Sequence, residues 1–276
     1  MQFDFWKMHG TGNDFVVVNN FDLHFPFWPP VLVKDICDRH TGVGADGLLL
    51  LEPSQSADFR MRYFNADGYE SSMCVNGSRC ISYFAFKNGI IPPHARFEAG
   101  DGVHTVHIEN QHQIRVQVRL NHSEEKRTFP VDFSLPKIIN FKRFINTGVP
   151  HLVLEVSEIQ SIPVEEIGRK LRFHPYYQPE GTNINFVEAD QRAEPLKLKV
   201  RTYERGVEAE TMSCGSGVTA VALTYLNYPR QKVEKLEVET RGGNLLVMVS
   251  PDADQIYLQG PVQLIYQGKY LKEGSS

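Results

Sequence analysis

Short stretches of this sequence recur at one separation, and that separation is close to half its length of 276 residues. MRYFN (61–65) resembles VRTYE (200–204), which puts Arg62 and Arg201 at an offset of 139. ESSMCVNG (70–77) resembles ETMSCGSG (210–217), with Cys74 and Cys214 at an offset of 140. GVGADG (42–47) and GTNINF (181–186) each lead into a strand-like run, and 181 minus 42 is again 139. Each match is weak alone, but three at nearly one offset point to an internal duplication. The period is far too long for a solenoid, whose repeats run to about 50 residues. Two similar domains are therefore expected, 1–120 and 140–265, facing each other across a cleft. The polar, proline-punctuated stretch 121–139 reads as the crossover, and 266–276 as a C-terminal tail.

Strand-like runs dominate both halves. They include DFVVVNN (14–20), DGLLLLE (46–52), FRMRYF (59–64), INFVEA (184–189), LKLKVRTY (196–203) and IYLQGPVQLIY (256–266). Helical patterns are expected at about 31–40, 77–87, 164–172 and 216–227, bounded by prolines, Asn88 and Gly89. The fold class is α+β.

Composition removes several classes of function. Acidic residues outnumber basic ones, 33 to 29, with no basic block, so nucleic acid is not an expected partner. The first ten residues, MQFDFWKMHG, carry neither a positive leader nor an apolar core, and no apolar run reaches the roughly 20 residues of a membrane span. The expectation is a cytoplasmic protein with no membrane partner. Four cysteines (37, 74, 80 and 214) are too few and too unevenly spaced for a disulfide scaffold, so reduced thiols are expected. No CxxC or HExxH occurs, and no metal is expected. GVGADG satisfies the spacing of a dinucleotide fingerprint, but a helical pattern precedes it and a strand follows, the reverse of the required order.

Cys74 and Cys214 each end a strand-like segment and open a helical one. A helix N-terminus presents N–H groups and the positive end of the macrodipole, which favours a thiolate and binds anions. A substrate carboxylate held between two such termini would gain stronger hydrogen bonds as it became enediolate-like. Inversion of a carbon centre by proton transfer needs a base on one face and an acid on the other, and two opposed sulfurs supply both without a cofactor. Cysteines are commonly small buried apolar residues, the reading that suits Cys37 and Cys80 inside helical patterns.

MHGTGNDF (8–15), GVGADG (42–47), FNADG (64–68), MCVNGSRC (73–80), NTGVPH (146–151), GTNINF (181–186) and YERGVEAETMSCGSG (203–217) appear in one order along nearly the whole chain. In this it resembles the diaminopimelate epimerase family. The resemblance implies two pseudo-symmetric domains, each a sheet or barrel wrapped around a helix, with the active site in the cleft between them. It implies cofactor-independent interconversion of LL- and meso-2,6-diaminopimelate in lysine and peptidoglycan-precursor synthesis, and a homodimer. Cys74 and Cys214 match the catalytic pair, with His151 and Glu204 as auxiliary residues near the reacting amino group and carboxylate. Asn13, Asn65, Asn183 and Arg205 match residues holding the distal end of the substrate. The backbone at Val75, Asn76, Gly215 and Ser216 matches the donors around the reacting carboxylate.

Those residue types suit a doubly zwitterionic substrate, which needs guanidinium and amide donors for carboxylate and an acid for ammonium. Asn13 and Asn65 also read as turn residues, His151 as a satisfied strand histidine and Arg205 as a surface arginine. Two features depart from the family pattern. CVNG replaces the usual CGNG, placing the β-branched Val75 where a backbone amide should approach the substrate, and ERGVEAET is one residue longer than the commoner ERGVGET. Two alternatives follow: a proline or hydroxyproline epimerase of the same architecture, and a non-catalytic amino-acid binding protein whose site Val75 has impaired.

Overall fold

The computed structural model describes residues 1–25, 27–119, 122–123, 138–190, 192–193, 196–226, 235–250 and 255–272. Nearly all of the expected crossover at 121–139 lies outside them. The chain divides into two compact units, Met1–Gln117 with Gly260–Ser276, and Val118–Gln259.

The first unit runs β1 (Gln2–Gly10), β2 (Asn13–Asn19), α1 (Pro30–Cys37), β3 (Gly47–Glu52), β4 (Phe59–Asn65), β5 (Glu70–Ser71), α2 (Val75–Lys87), β6 (His94–Ala99), β7 (Gly102–Asn110) and β8 (Gln113–Val118). β2 pairs with β1 antiparallel and with β3 parallel. β4 lies antiparallel to β3 and β5 and parallel to β6, and β7 joins β6 to β8.

The second unit opens with β9 (His122–Ser123), then repeats the same series: β10 (Ile138–Thr147), β11 (Pro150–Val156), α3 (Val164–Arg172), β12 (Asn183–Asp190), β13 (Lys197–Glu204), β14 (Ala209–Thr211), α4 (Gly215–Tyr225), β15 (Lys235–Thr240), β16 (Gly243–Val249) and β17 (Ile256–Gly260). Every pairing has its counterpart, including the parallel β11–β12 and β13–β15 contacts. Register makes the equivalence residue by residue. Phe15 stands opposite Gly47 and His151 opposite Asn183, so each pair is 32 residues apart.

That register corrects one of the sequence matches. Gly47 corresponds to Asn183, an offset of 136, so GVGADG and GTNINF are three residues out of phase as first aligned. The glycines sit in loops of different length ahead of the strands, and loop length is free to vary where strand pairing is not.

Hydrophobic periodicity explains how each helix is enclosed. β3, GLLLLE, is buried along its whole length. Leu49 and Leu51 meet Cys80, Ile81 and Phe84 of α2, while Leu48 and Leu50 meet Leu32, Val33 and Ile36 of α1 on the opposite face. Ten of the 13 residues of α2 are buried, as a helix surrounded by strands requires. In the second unit α4 packs against β10, β11, β12, β15 and β16. α3 covers the other face, setting Ile167 and Leu171 against Leu152, Leu154, Ile184 and Phe186.

The end of the chain departs from the sequence reading. Residues expected as the end of the second half and a tail form β18 (Gln263–Leu271), which pairs antiparallel with β1 from Gln2↔Leu271 to His9↔Gln263. IYLQGPVQLIY is thus two strands in two units, separated at Pro261, whose missing N–H cannot continue a ladder. β1 has β2 on one side only, and β18 satisfies its other edge.

Candidate active site

Cys74 follows β5 and occupies the N-cap of α2 in extended conformation, φ −138° and ψ 115°. Cys214 follows β14 and caps α4 with φ −111° and ψ 109°. Neither is in a disulfide. The Gly77 N–H donates to Cys74 Sγ at 3.4 Å, and Cys214 Sγ lies 3.4 Å from Ser216 Oγ. Val75 and Asn76 in α2, and Gly215 and Ser216 in α4, fill the first helical positions, whose N–H groups have no intrahelical acceptor. Each sulfur therefore sits at the positive end of a buried helix, where negative charge on sulfur or on a bound carboxylate is stabilised.

Val75 is buried at 8% exposure in the first turn of α2 and is not among the residues with positive φ. Its branch is accommodated on helical backbone, so the amide keeps the direction that a glycine there would give it. The impairment expected of valine therefore finds no support in the backbone.

Asn13, at the start of β2, reaches the same place. Its amide Nδ2 donates to Asp46 Oδ2 at 2.8 Å, which leaves Oδ1 facing Asn76 Nδ2 at 3.3 Å and Cys74 Sγ at 3.7 Å. Asp46 in turn accepts from Arg39 at 2.7 Å and from the Asp14 N–H at 3.1 Å. Burial opposes charge on Asp14, but Arg39 and Lys7 outweigh it and hold its carboxyl below the usual carboxylate range. Lys7 also donates to the Gly44 carbonyl, tying β1 to the loop before β3. Asn65, at the end of β4, accepts from the Tyr63 hydroxyl at 2.6 Å.

Arg79 behind Cys74 was not singled out from the sequence. It is wholly buried, with Nη2 donating to Asn76 Oδ1 at 3.0 Å and to Thr11 Oγ1 at 3.2 Å. Burial lowers its guanidinium to about 10, so it remains a cation at neutral pH. The available signal was a lone charge on the otherwise uncharged stretch VNGSRCISYFAF.

In the second unit, His151 of β11 is wholly buried, and burial together with the Arg205 charge pushes its imidazole down to about 3. Asn183 of β12 is engaged by the protein at both ends: Nδ2 donates to the Pro150 carbonyl at 3.0 Å and Oδ1 accepts from the Arg205 N–H at 2.8 Å. The Arg205 guanidinium donates to the Glu180 carbonyl at 3.1 Å, and Glu204 accepts from the Thr211 hydroxyl at 3.0 Å. Asn13, Cys74, Val75 and Asn76 are thus brought together in the first unit, and His151, Asn183 and Arg205 are linked in the second. Among the described residues no cluster of three or more metal-ligating side chains occurs, and no helix is long and apolar enough to cross a membrane.

The neutral His151 has a measurable consequence. Its folded-state value lies below the ordinary value near 6.5, so between those two pH values the unfolded chain binds a proton that the folded chain does not. Stability should fall with acidification through that window, by up to about 1.4 kcal/mol per pH unit. Urea denaturation from pH 6.5 to 5 should show a shallower decline for His151→Gln than for the parent. Equal slopes would mean that His151 is not buried neutral.

Comparison with known proteins bears on the whole chain. The family model described as diaminopimelate epimerase matches residues 5–125 and 143–265. A protein named diaminopimelate epimerase from Aquifex aeolicus is 39% identical over 281 residues, covering 98% of both chains. Another so named, from Chlorobaculum tepidum, is 38% identical over 266 residues, covering 95% of this chain and 98% of its own. Among solved structures, a phenazine biosynthesis protein of the PhzF family from Bacillus anthracis superposes with a TM-score of 0.73 at 15% identity, covering 99% of this chain and all of its own. A probable proline racemase from Agrobacterium radiobacter gives 0.69 at 14%, covering 98% and 93%. The two structures share the fold, whereas the family match and the near-complete coverage at 38–39% identity are of a different order. Joined to the repeated strand, cysteine and helix of each unit, they establish that the chain belongs to the diaminopimelate epimerase family.

Proposed function

We propose that this protein interconverts LL- and meso-2,6-diaminopimelate by removing the α-proton with one of Cys74 and Cys214 and delivering a different proton to the opposite face from the other, without cofactor or metal. The observation that carries the reading is the repeated placement of the two sulfurs: each caps a buried helix after the equivalent short strand of its unit. Family membership supplies the substrate. In the forward direction one cysteine, as thiolate, removes the α-proton and becomes a thiol. The other, as thiol, delivers its proton to the opposite face and becomes a thiolate, so the pair ends with its protonation states exchanged. Negative charge moves onto the α-carboxylate as the proton leaves. The N–H groups of Val75, Asn76, Gly215 and Ser216, preorganised at helix starts, bind it more tightly at that moment than in the ground state.

In this reading His151 and Glu204 hold the reacting amino-acid end, and Asn13, Asn65, Asn183 and Arg205 hold the distal one. Arg205 supplies a cation for the distal carboxylate, and the amides share the remaining polar groups. The same reading carries a cytoplasmic homodimer acting in lysine and peptidoglycan-precursor synthesis.

Purified protein should convert LL-diaminopimelate to the meso isomer in an assay coupled to a meso-specific dehydrogenase, with proline turned over far more slowly or not at all. Faster proline turnover would move the assignment to the proline epimerases. Diaminopimelate binding without turnover would favour a binding protein.

A further inference from the structure

The two units share one framework, yet a fully buried apolar pair in the first is a polar pair in the second. Phe15 and Leu49 occupy β2 and β3 where His151 and Asn185 occupy β11 and β12. The matching pairs Leu49↔Tyr63 and Asn185↔Thr202 confirm the register on the next strand. Phe15 and Leu49 are fully buried core residues, so the framework stands with apolar side chains at these positions. His151 and Asn185 are equally buried. Burying polar groups costs free energy unless they are hydrogen-bonded, so folding alone gives no reason for the exchange.

We infer that Asn185 is a positioning residue that holds His151 as its Nε2–H tautomer, so that His151 presents a hydrogen-bond donor, rather than a base, to a carboxylate oxygen of the substrate. The inference rests on the functional reading above for the ligand, and on the geometry for the tautomer. Asn185 Nδ2 lies 3.1 Å from the Leu152 carbonyl, a group that can only accept, which fixes the amide nitrogen on that side. Its Oδ1 accepts from the Thr202 hydroxyl at 3.0 Å. The same Nδ2 stands 3.3 Å from His151 Nδ1. An amide nitrogen has no lone pair to offer, so Nδ1 must accept and cannot carry the proton.

The proton of a neutral ring is then on Nε2. That atom is buried and has no hydrogen-bond partner among the described residues. An unpaired buried donor carries a desolvation penalty, which a ligand acceptor would recover. Burial opposes a second proton on the ring, and the Arg205 guanidinium opposes it further. A neutral donor can serve a carboxylate but not an ammonium group, which has no lone pair. Asn185 also touches the start of α4: a Cβ at Gly217 would meet Asn185 Oδ1 at 2.4 Å and Cys214 Sγ at 3.3 Å. One amide side chain thus sets the histidine and borders the turn that carries the sulfur.

The tautomer is readable in the resting protein. With ¹⁵N-histidine labelling, and His151→Gln used to assign the resonance, Nδ1 should appear as an unprotonated ring nitrogen and Nε2 as a protonated one at neutral pH. Asn185→Asp keeps the shape but makes the side chain an acceptor, and should move the proton to Nδ1 or add a second. Its kcat/KM should fall about 10- to 100-fold, as for loss of partners that orient functional histidines. On a His151→Gln background the same substitution should add little, because the ring through which it acts is gone. A protonated Nδ1 in the parent protein would overturn the inference even if the Asp variant failed to fold. So would an unchanged tautomer in Asn185→Asp, or a loss that simply adds to that of His151→Gln. A parent protein with the expected tautomer but no diaminopimelate turnover would sink the functional reading and leave the role of Asn185 standing.

Discussion

Cys74→Ala and Cys214→Ala should each lower epimerase turnover by at least the 10²–10⁴-fold, in rough terms, that a positioned acid or base contributes. Neither loss can be made good by the remaining thiol. One sulfur alone can remove a proton or return it to the face it came from, but inversion requires a second group on the other side. Both side chains are small and sit at helix caps, so far-ultraviolet circular dichroism and the denaturation midpoint should stay close to those of the parent. Cys37→Ala provides the contrast. Cys37 ends α1 at 3% exposure, and burial pushes its thiol up to about 12, which marks it as a packing residue. It should cost about 1 kcal/mol of stability, as removal of a small buried group does, and keep near-parental turnover. Near-parental activity in either the Cys74 or the Cys214 variant would remove that residue from the mechanism.

Gly217→Ala should be severely damaging where the matching Gly77→Ala is not. Both glycines occupy the third position of a cysteine-capped helix. At Gly217 the new methyl carbon would lie 2.4 Å from Asn185 Oδ1, an atom held by the Thr202 hydroxyl, so the start of α4 has to move. At Gly77 it would meet Leu49 Cδ2 at 3.1 Å, the far end of a flexible side chain that can turn aside. Misplacing a reacting group by about 1 Å can cost 10²-fold, and the sulfur of Cys214 and the amides of Gly215 and Ser216 all ride on that turn. Alanine at 217 is therefore expected to lower kcat on the order of 10²-fold and alanine at 77 by less than about 10-fold. Comparable losses at the two sites would show that the close approach of Asn185 does not constrain α4.

Much of this architecture was legible because the informative signals were local or repeated. All four helices fall within a few residues of their expected spans, since Pro29, Pro30 and Gly89 punctuate them and the cysteine motifs open two of them. The duplication showed itself through ESSMCVNG and ETMSCGSG, where helix start and chemistry constrain the same residues. The strand character of 256–266 was legible, but the pairing of β18 was not, because its partner β1 lies at the other end of the chain and nothing local in QLIYQGKYL announces a long-range pairing. The phase of β3 against β12 was misread for a related reason: it is set by hydrogen bonding to β2 and β11, not by the glycines upstream. Within the site, the cysteines and their flanking amides could be named from motif alone. Asn185 and Arg79 could not, since a polar residue inside an apolar run declares a partner only when the fold brings one near. The Asn183 side chain, expected to face substrate, already serves Pro150 and Arg205, a competition that no sequence pattern displays.

Inversion by two groups, one on each face of the carbon, leaves a distinct isotopic record. It is read by following hydrogen at the α-carbon when purified protein acts on LL-diaminopimelate in D₂O, stopped at low conversion and analysed by isomer separation and mass spectrometry. One deuterium is expected in the meso product and little in the unreacted LL substrate, because the sulfur that removes the proton is not the one that delivers its replacement. Deuterium entering the LL substrate faster than meso product forms would contradict it, as the mark of a single base that exchanges with solvent and returns its proton to the same face.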